Sequence, residues 1–105
     1  MDKHLALLEA MVNADSGSGY REGFQQLAAM IRPIAKELHC SFESRTAHDG
    51  SVHYVMSRGE GERILLIAHL DTVFPLGTAA KRPFTIIGDR AYGPGVSDCK
   101  SGVVT

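Results

Sequence analysis

A histidine and an aspartate lie two residues apart at the end of an apolar stretch of this 105-residue sequence. The stretch reads LLIAHLDTVFP over residues 65–75, and the pair is His69 and Asp71. In an extended strand residues i and i+2 project to the same side, so both side chains can leave the strand end together. A carboxylate beside one imidazole nitrogen fixes the tautomer and raises the basicity of the other nitrogen, as it does around metal-bound histidines. The spacing alone equally fits a polar pair that caps a strand.

A further carboxylate, Asp98, lies in the glycine-rich segment AYGPGVSDCKSG, residues 91–102. Two glycines flank Pro94 and permit backbone angles that other residues avoid, while the proline stiffens the segment. Such a loop can hold one side chain in a fixed place. A structural interpretation stays open, in which Asp98 or Ser97 only caps a following helix. Lys100 is then either a solvated charge or a partner for an anion.

Helical periodicity dominates the first 38 residues. Residues 3–12 carry apolar side chains at helical spacing and predict a short helix. Residues 13–19, NADSGSG, favour a loop, because Asn, Asp and Ser hydrogen-bond the local backbone and Gly permits positive φ. An apolar stripe over residues 20–38 predicts a long amphipathic helix. Pro33 lies inside that stripe and lacks a backbone donor, which predicts a kink or a local break.

After residue 39 the spacing of apolar side chains changes to every second residue. The segments CSFESRT and SVHYVMS alternate on either side of AHDG, which predicts a β-hairpin. The unbroken apolar run in RILLIAH, residues 63–69, is typical of a strand buried on both faces. FTIIGDRAYG predicts two short strands about a turn at Gly88-Asp89, and residues 101–105 predict the start of a helix. The order of these elements indicates an α/β fold, with a mixed sheet and flanking helices. The fold is expected to be incomplete, because the predicted helices can cover only part of a strand that is buried on both faces.

Composition and charge exclude several classes of function. Eleven Lys and Arg against 12 Asp and Glu give a formal net charge of −1, without a basic stripe for nucleic acid. The chain is 44% hydrophobic but has no apolar run of the ~18 residues that cross a membrane, so one globular domain without a membrane partner is expected. The N-terminus lacks the features of a secretory signal, which makes a cytoplasmic location the expectation. Cys40 and Cys99 are expected to be reduced thiols.

Three blocks of the sequence together resemble a known enzyme family. They are VNADSGSGYREGFQQLA (residues 12–28), AHLDTVFP (68–75) and AYGPGVSDCKSG (91–102). In this order they are similar to the zinc-dependent amidohydrolases and exopeptidases that include acetylornithine deacetylase, succinyl-diaminopimelate desuccinylase, aminoacylase and carboxypeptidase G, and most of all to the glutamate carboxypeptidase group. The resemblance implies that residues 1–105 form the N-terminal portion of a zinc-exopeptidase catalytic domain, without its lid or dimerisation domain.

The same resemblance implies a role for each site residue. His69 would bind one Zn²⁺, Asp98 would bridge two zinc ions, and Asp71 would be the catalytic residue that orients His69. Two metals roughly 3.5–4 Å apart can activate a bridging water and polarise an amide carbonyl. Relatives often have a cis peptide bond after the bridging aspartate, so the bond from Asp98 to Cys99 is expected to be cis. Cys99 stands where relatives commonly carry Asp or Met, and a packed or idle thiol is expected there.

The function implied is metal-dependent hydrolysis of an amide bond in a peptide-like or N-acyl amino acid substrate. The paired glutamates, the acidic ligand and the distant histidine that follow in the family pattern cannot be assigned within residues 1–105. Two recognisable ligands are fewer than a zinc site generally uses, so weak or absent zinc binding and no turnover are expected from these residues alone. The alternative is a non-catalytic association or scaffold module, which binds another chain or a second copy of itself through an exposed sheet.

Overall fold

The computed structural model of the chain describes residues 2–105 and contains helices and short antiparallel hairpins. The helices are α1 (Lys3–Val12), α2 (Arg21–Glu37), α3 (Thr78–Lys81) and α4 (Ser101–Val104), and the strands are β1 (Ser41–Thr46), β2 (Val52–Ser57), β3 (Thr85–Ile87) and β4 (Arg90–Tyr92). Within residues 2–105, no helix has both the length and the apolar character needed to cross a lipid bilayer. The chain is therefore mixed α/β in its secondary structure, as predicted.

Both N-terminal helices form where the periodicity places them. The carboxylate of Asp2 caps α1 by accepting hydrogen bonds from the backbone N–H groups of His4 and Leu5. The helix α2 runs through Pro33 without ending, so of the two predicted alternatives, a kink or a local break, the break is wrong. Pro33 and the residue four positions earlier, Ala29, are both exposed. Water can therefore satisfy the Ala29 carbonyl that the proline leaves without an intrahelical donor.

A small apolar core holds the two N-terminal helices against the C-terminal end of the chain. Met11 of α1 and Leu27 of α2 are fully buried, and Ala14 is buried beside them. Partly buried side chains pack against this group from several elements; they are Leu7, Met30, Ile31, Leu70, Val103 and Val104. One of them, Leu70, lies between His69 and Asp71 in sequence. The core therefore anchors the segment that carries these two polar residues.

The two predicted hairpins are confirmed. Strands β1 and β2 pair antiparallel from Ser41 opposite Ser57 to Thr46 opposite Val52. Strands β3 and β4 pair antiparallel about the turn at Gly88, whose φ is +64°. The hairpins form two separate two-stranded sheets. Among the described residues, the expected single mixed sheet is therefore wrong, since hairpin pairing is local and the two hairpins do not join.

The predicted buried strand over residues 63–69 is also wrong for the part of the chain that the structure describes. Residues 64–67 belong to no strand, and Ile64, Leu65, Leu66 and Ile67 are between 80% and 90% exposed. A strand needs a neighbour to pair its backbone N–H and C=O groups, and a buried strand also needs covering layers. Residues 2–105 place neither beside this segment. We call residues 64–67 the exposed apolar run.

Candidate metal centre

His69 lies between two carboxylates. Its Nε2 atom is 2.8 Å from Oδ1 of Asp98, and its Nδ1 atom is 3.2 Å from Oδ1 of Asp71 and 3.0 Å from the main-chain oxygen of Asp71. Asp98 is 29 positions away in sequence, so only the fold can bring it to the imidazole. The structure thus places together the three site residues that the sequence predicted. We call these three residues the His69 cluster.

The hydrogen bonds of His69 determine which ring nitrogen can bind a metal. The main-chain oxygen of Asp71 can only accept, so Nδ1 of His69 carries a hydrogen and donates it. In the neutral ring this leaves the lone pair on Nε2, the atom that faces Asp98. The hydrogen bond with Asp98, together with the acceptor oxygen of Asp71, raises the pKa of His69 above its ordinary value. Protons and metal ions therefore compete for Nε2.

The His69 cluster lines an open cleft with a volume of about 250 Å³. The apolar residues Val73, Phe74 and Val96 also line this cleft. About half of the His69 side chain is exposed, and the Asp98 side chain is 88% exposed. A small polar group or an ion can reach both side chains from solvent.

The loop after α1 positions the segment that carries His69. Oγ of Ser16 donates to the carbonyl of Leu70 at 2.8 Å, and Oγ of Ser18 donates to Oδ2 of Asp71 at 2.6 Å. Two backbone hydrogen bonds join the same segments: the N–H of Thr72 donates to the carbonyl of Ser16, and the N–H of Ser18 donates to the carbonyl of Thr72. The sequence predicted a loop here but missed these contacts. The only indication in the sequence that this loop contributes to the site was its position in the block over residues 12–28, one of the three that resemble the enzyme family.

Asp98 projects from an irregular turn, Val96–Lys100. The backbone at Asp98 has φ −127° and ψ 95°, outside the helical region. The peptide bond from Asp98 to Cys99 is cis, which confirms the expectation from the family resemblance. In the described part of the chain no side chain caps α4, so the interpretation of Asp98 or Ser97 as a helix cap is wrong. The carboxylate of Asp98 instead faces His69.

Cys99 contacts the backbone of His69 on both sides. Its Sγ accepts a hydrogen bond from the His69 N–H at 3.1 Å and donates one to the His69 carbonyl at 3.2 Å. Cys99 and Cys40 are both free thiols, as predicted. The thiol of Cys99 is packed rather than idle, because it links the turn that carries Asp98 to the segment that carries His69.

Lys100 is buried, so its predicted role as a solvated charge is wrong, and within residues 2–105 its amine donates to main-chain carbonyls rather than to a carboxylate. The residue is 1% exposed, and its Nζ donates to the carbonyls of Met11 and Ala14 at 2.8 and 3.1 Å. Met11 lies in the last turn of α1 and Ala14 lies just after the helix, so the amine of Lys100 supplies a buried donor at the end of α1, where carbonyls lack intrahelical partners. Burial lowers the pKa of Lys100 from 10.5 to about 8, although the nearby Asp15 carboxylate acts in the opposite direction.

This buried amine makes the stability of the chain depend on pH. Between about pH 8 and 10.5 the unfolded chain holds a proton on Lys100 that the folded chain has released. Because the unfolded state binds more protons in this window, the free energy of unfolding should rise as the pH increases through it. Below the window the amine is charged in both states, and the desolvation cost is fully present.

Urea unfolding of the wild-type chain and of Lys100→Met over this pH range checks the prediction. The difference in unfolding free energy between the two proteins should change in favour of the wild type as the pH rises. A difference that does not depend on pH would contradict it.

The donor set around His69 fits a divalent cation such as Zn²⁺. Ligand atoms of His69, Asp98 and Cys99 all lie within 4.8 Å of one another. Imidazole nitrogen, carboxylate oxygen and thiolate sulfur are the three ligand types that zinc uses in proteins. In the described residues Oδ2 of Asp98 makes no hydrogen bond, so this carboxylate retains an oxygen for a further cation.

Comparison with known proteins found sequence similarity to a carboxypeptidase. No family model matches the chain. The chain is 38% identical over 100 residues to carboxypeptidase G2 from Pseudomonas sp. (strain RS-16), and the match covers 90% of this chain and 24% of that protein. The chain thus spans about a quarter of the length of this relative. The similarity supports a relationship between this chain and the zinc exopeptidases that its sequence blocks resemble.

Proposed function

We propose that this chain supplies part of the active site of a metal-dependent hydrolase that cleaves amide bonds. In this site His69 and Asp98 hold the metal, and Asp71 orients His69. The observation that carries the proposal is the double hydrogen bonding of His69, with Nδ1 held by Asp71 and Nε2 directed at Asp98. The similarity to carboxypeptidase G2 supports the reaction class.

Each residue of the His69 cluster has a distinct task in this proposal. A bound zinc ion would activate a water molecule and polarise the carbonyl of the amide. Asp71 keeps the proton on Nδ1 of His69 and thereby leaves Nε2 free to bind the cation. Ser18 holds the second oxygen of Asp71 and fixes the direction of that carboxylate. Asp98 offers a second oxygen, which would allow it to bridge two cations.

The proposed substrates are peptide-like or N-acyl amino acids, with a free carboxylate as in the carboxypeptidase reaction. A zinc site generally uses three or four protein ligands, and hydrolysis also needs a general base. His69 and Asp98 do not meet these requirements alone. We therefore propose that the remaining ligands and the base come from polypeptide outside residues 2–105, and that these residues are the N-terminal part of a longer catalytic domain.

A chimera tests this proposal. The segment of carboxypeptidase G2 that matches this chain is replaced by the residues of this chain, and hydrolysis of an N-acyl glutamate is measured with zinc present. The chimera should hydrolyse this substrate, and its His69→Ala and Asp98→Asn variants should lose at least about a hundredfold in rate. His48→Ala is the matched control, because His48 lies in the exposed turn between β1 and β2.

Two results would contradict the proposal. The first is a folded, zinc-loaded chimera that does not hydrolyse the substrate while unmodified carboxypeptidase G2 does so in parallel. The second is activity that survives the loss of His69. The 105-residue chain alone should show no turnover, and turnover by it would contradict the placement of the general base outside this chain.

A second function, association with another polypeptide, is favoured by the exposed apolar run. Four consecutive apolar side chains in contact with water are costly, and a partner that covered them would remove that cost. The oligomeric state of the metal-free chain distinguishes the two functions. A stable metal-free dimer, found together with an inactive chimera, would favour the association module.

A further inference from the structure

We propose that Cys99 is a metal ligand, so that this chain holds one divalent cation with a nitrogen, an oxygen and a sulfur donor. The ligand atoms are Nε2 of His69, a carboxylate oxygen of Asp98 and Sγ of Cys99. The inference rests on the metal site proposed above and goes beyond it, because Cys99 stands where the family pattern commonly has a different residue.

Distances between the candidate ligand atoms support this ligand set. One ligand atom each from His69, Asp98 and Cys99 lies within 4.8 Å of the others, and Nε2 is the ring nitrogen of His69 that lies 2.8 Å from Asp98. A tetrahedral zinc ion with bonds of about 2.0–2.3 Å needs donor atoms about 3–4 Å apart. The cation can therefore replace the hydrogen bond between His69 and Asp98 and meet the sulfur with only small movements of the side chains. Cys40 does not belong to this group of ligand atoms, because its Sγ contacts the carbonyl of Leu38 at the end of α2.

The hydrogen bonds of Cys99 hold its sulfur beside His69. The backbone N–H of His69 donates to Sγ at 3.1 Å, which fixes the position of the sulfur next to the segment that carries the imidazole. The S–H of Cys99 donates to the carbonyl of His69 in the metal-free protein. When the metal binds, the S–H bond breaks, the proton goes to solvent and a sulfur–metal bond forms, without any change of oxidation state. The His69 N–H bond to sulfur is retained.

The donor set also predicts which cations bind. Thiolate is a soft ligand and favours Zn²⁺, Cd²⁺ and Co²⁺ over Mg²⁺ and Ca²⁺, which prefer oxygen. Three protein ligands leave one tetrahedral position for water, which matches the open cleft at the cluster. Cys99 thus brings the number of protein ligands from this chain to three.

Cobalt binding to the full 105-residue chain, kept reduced, tests the inference. Co²⁺ gives a thiolate-to-metal charge-transfer band in the near ultraviolet only if a sulfur is bound. Wild-type chain and Cys40→Ser should both show this band, and Cys99→Ser should lose it together with at least about tenfold in affinity. Serine can still donate to and accept from the His69 backbone. A change in Cys99→Ser therefore reports the sulfur ligand rather than the lost contact between segments.

A second measurement is X-ray absorption at the zinc edge, which should show one sulfur at about 2.3 Å from the metal. Co²⁺ binding that depends on His69 but gives no charge-transfer band and no loss of affinity in Cys99→Ser would overturn the inference and leave the proposed function intact. Failure of the wild-type chain to bind Co²⁺ or Zn²⁺ would also overturn it. The chimera would still test the proposed function, because carboxypeptidase G2 supplies the metal ligands that lie outside residues 2–105 of this chain.

Discussion

Replacing His69 with alanine should lower the affinity of the 105-residue chain for Zn²⁺ by at least about a hundredfold, or about 2.7 kcal/mol. The reason is that the contacts from Nδ1 of His69 to Asp71 hold the ring so that the lone pair of Nε2 faces the proposed metal position. Without the imidazole, only the carboxylate of Asp98, whose side chain is 88% exposed, and the thiol of Cys99 remain. Competition with a chromophoric zinc chelator measures the change.

A second variant separates ligand loss from misfolding. Asp98→Asn keeps the size and the hydrogen bond of the side chain but removes its charge, and the exposure of Asp98 makes a folding defect small. This variant should also bind zinc more weakly, while His48→Ala should bind like the wild type. Equal zinc affinity in wild type and His69→Ala would show that the metal binds somewhere other than the His69 cluster.

Replacing Gly17 with alanine should destabilise the chain by at least about 2 kcal/mol. A Cβ atom built on Gly17 would lie 2.5 Å from the main-chain oxygen of Phe74. Backbone surrounds this position, and Gly17 also forms the parallel bridge to Thr72, so neither segment can move away without losing hydrogen bonds. The substitution should therefore separate the loop after α1 from the segment that carries Asp71. Urea unfolding measures the loss of stability.

Gly102 provides the matched control for this substitution. A Cβ atom at Gly102 meets nothing within 4 Å, and the residue lies inside α4. Gly102→Ala should therefore be neutral or stabilising by up to about 1 kcal/mol, because alanine is the better helix former. The close approach at Gly17 would be contradicted if Gly17→Ala were as stable as Gly102→Ala.

Local patterns predicted the local structure well. Helical spacing located α1 and α2, and alternation with turn residues located both hairpins, because in each case the partners are close in sequence. The strand over residues 63–69 was predicted from its apolar character alone. Pairing and burial of a strand depend on distant segments, and the described residues contain no partner for it. The apolar character of this segment thus indicated a tendency to be buried, which the contacts within residues 2–105 do not satisfy.

The candidate site was predicted only in part, because sequence patterns reveal neighbouring residues but not contacts between distant segments. The spacing of two residues in a strand indicated that His69 and Asp71 lie together. Asp98 was assigned to the same site only because the block over residues 91–102 resembles the enzyme family. Ser18 and Lys100 act across 53 and 86–89 positions of sequence, through contacts that have no spacing signature. A lysine beside a presumed loop is also most simply read as exposed. Only the three-dimensional structure shows that its amine is buried and donates to the carbonyls of Met11 and Ala14 at the end of α1.

The exposed apolar run ends two residues before His69, with only Ala68 between them. A partner surface that covered residues 64–67 and extended past Ala68 would therefore also displace water from around His69 and its two carboxylates. As water leaves, the effective dielectric constant falls, and the attraction between a cation and Asp71 and Asp98 becomes stronger. Dehydration of this run and the electrostatic strength of the metal centre are consequently coupled through their position in the chain.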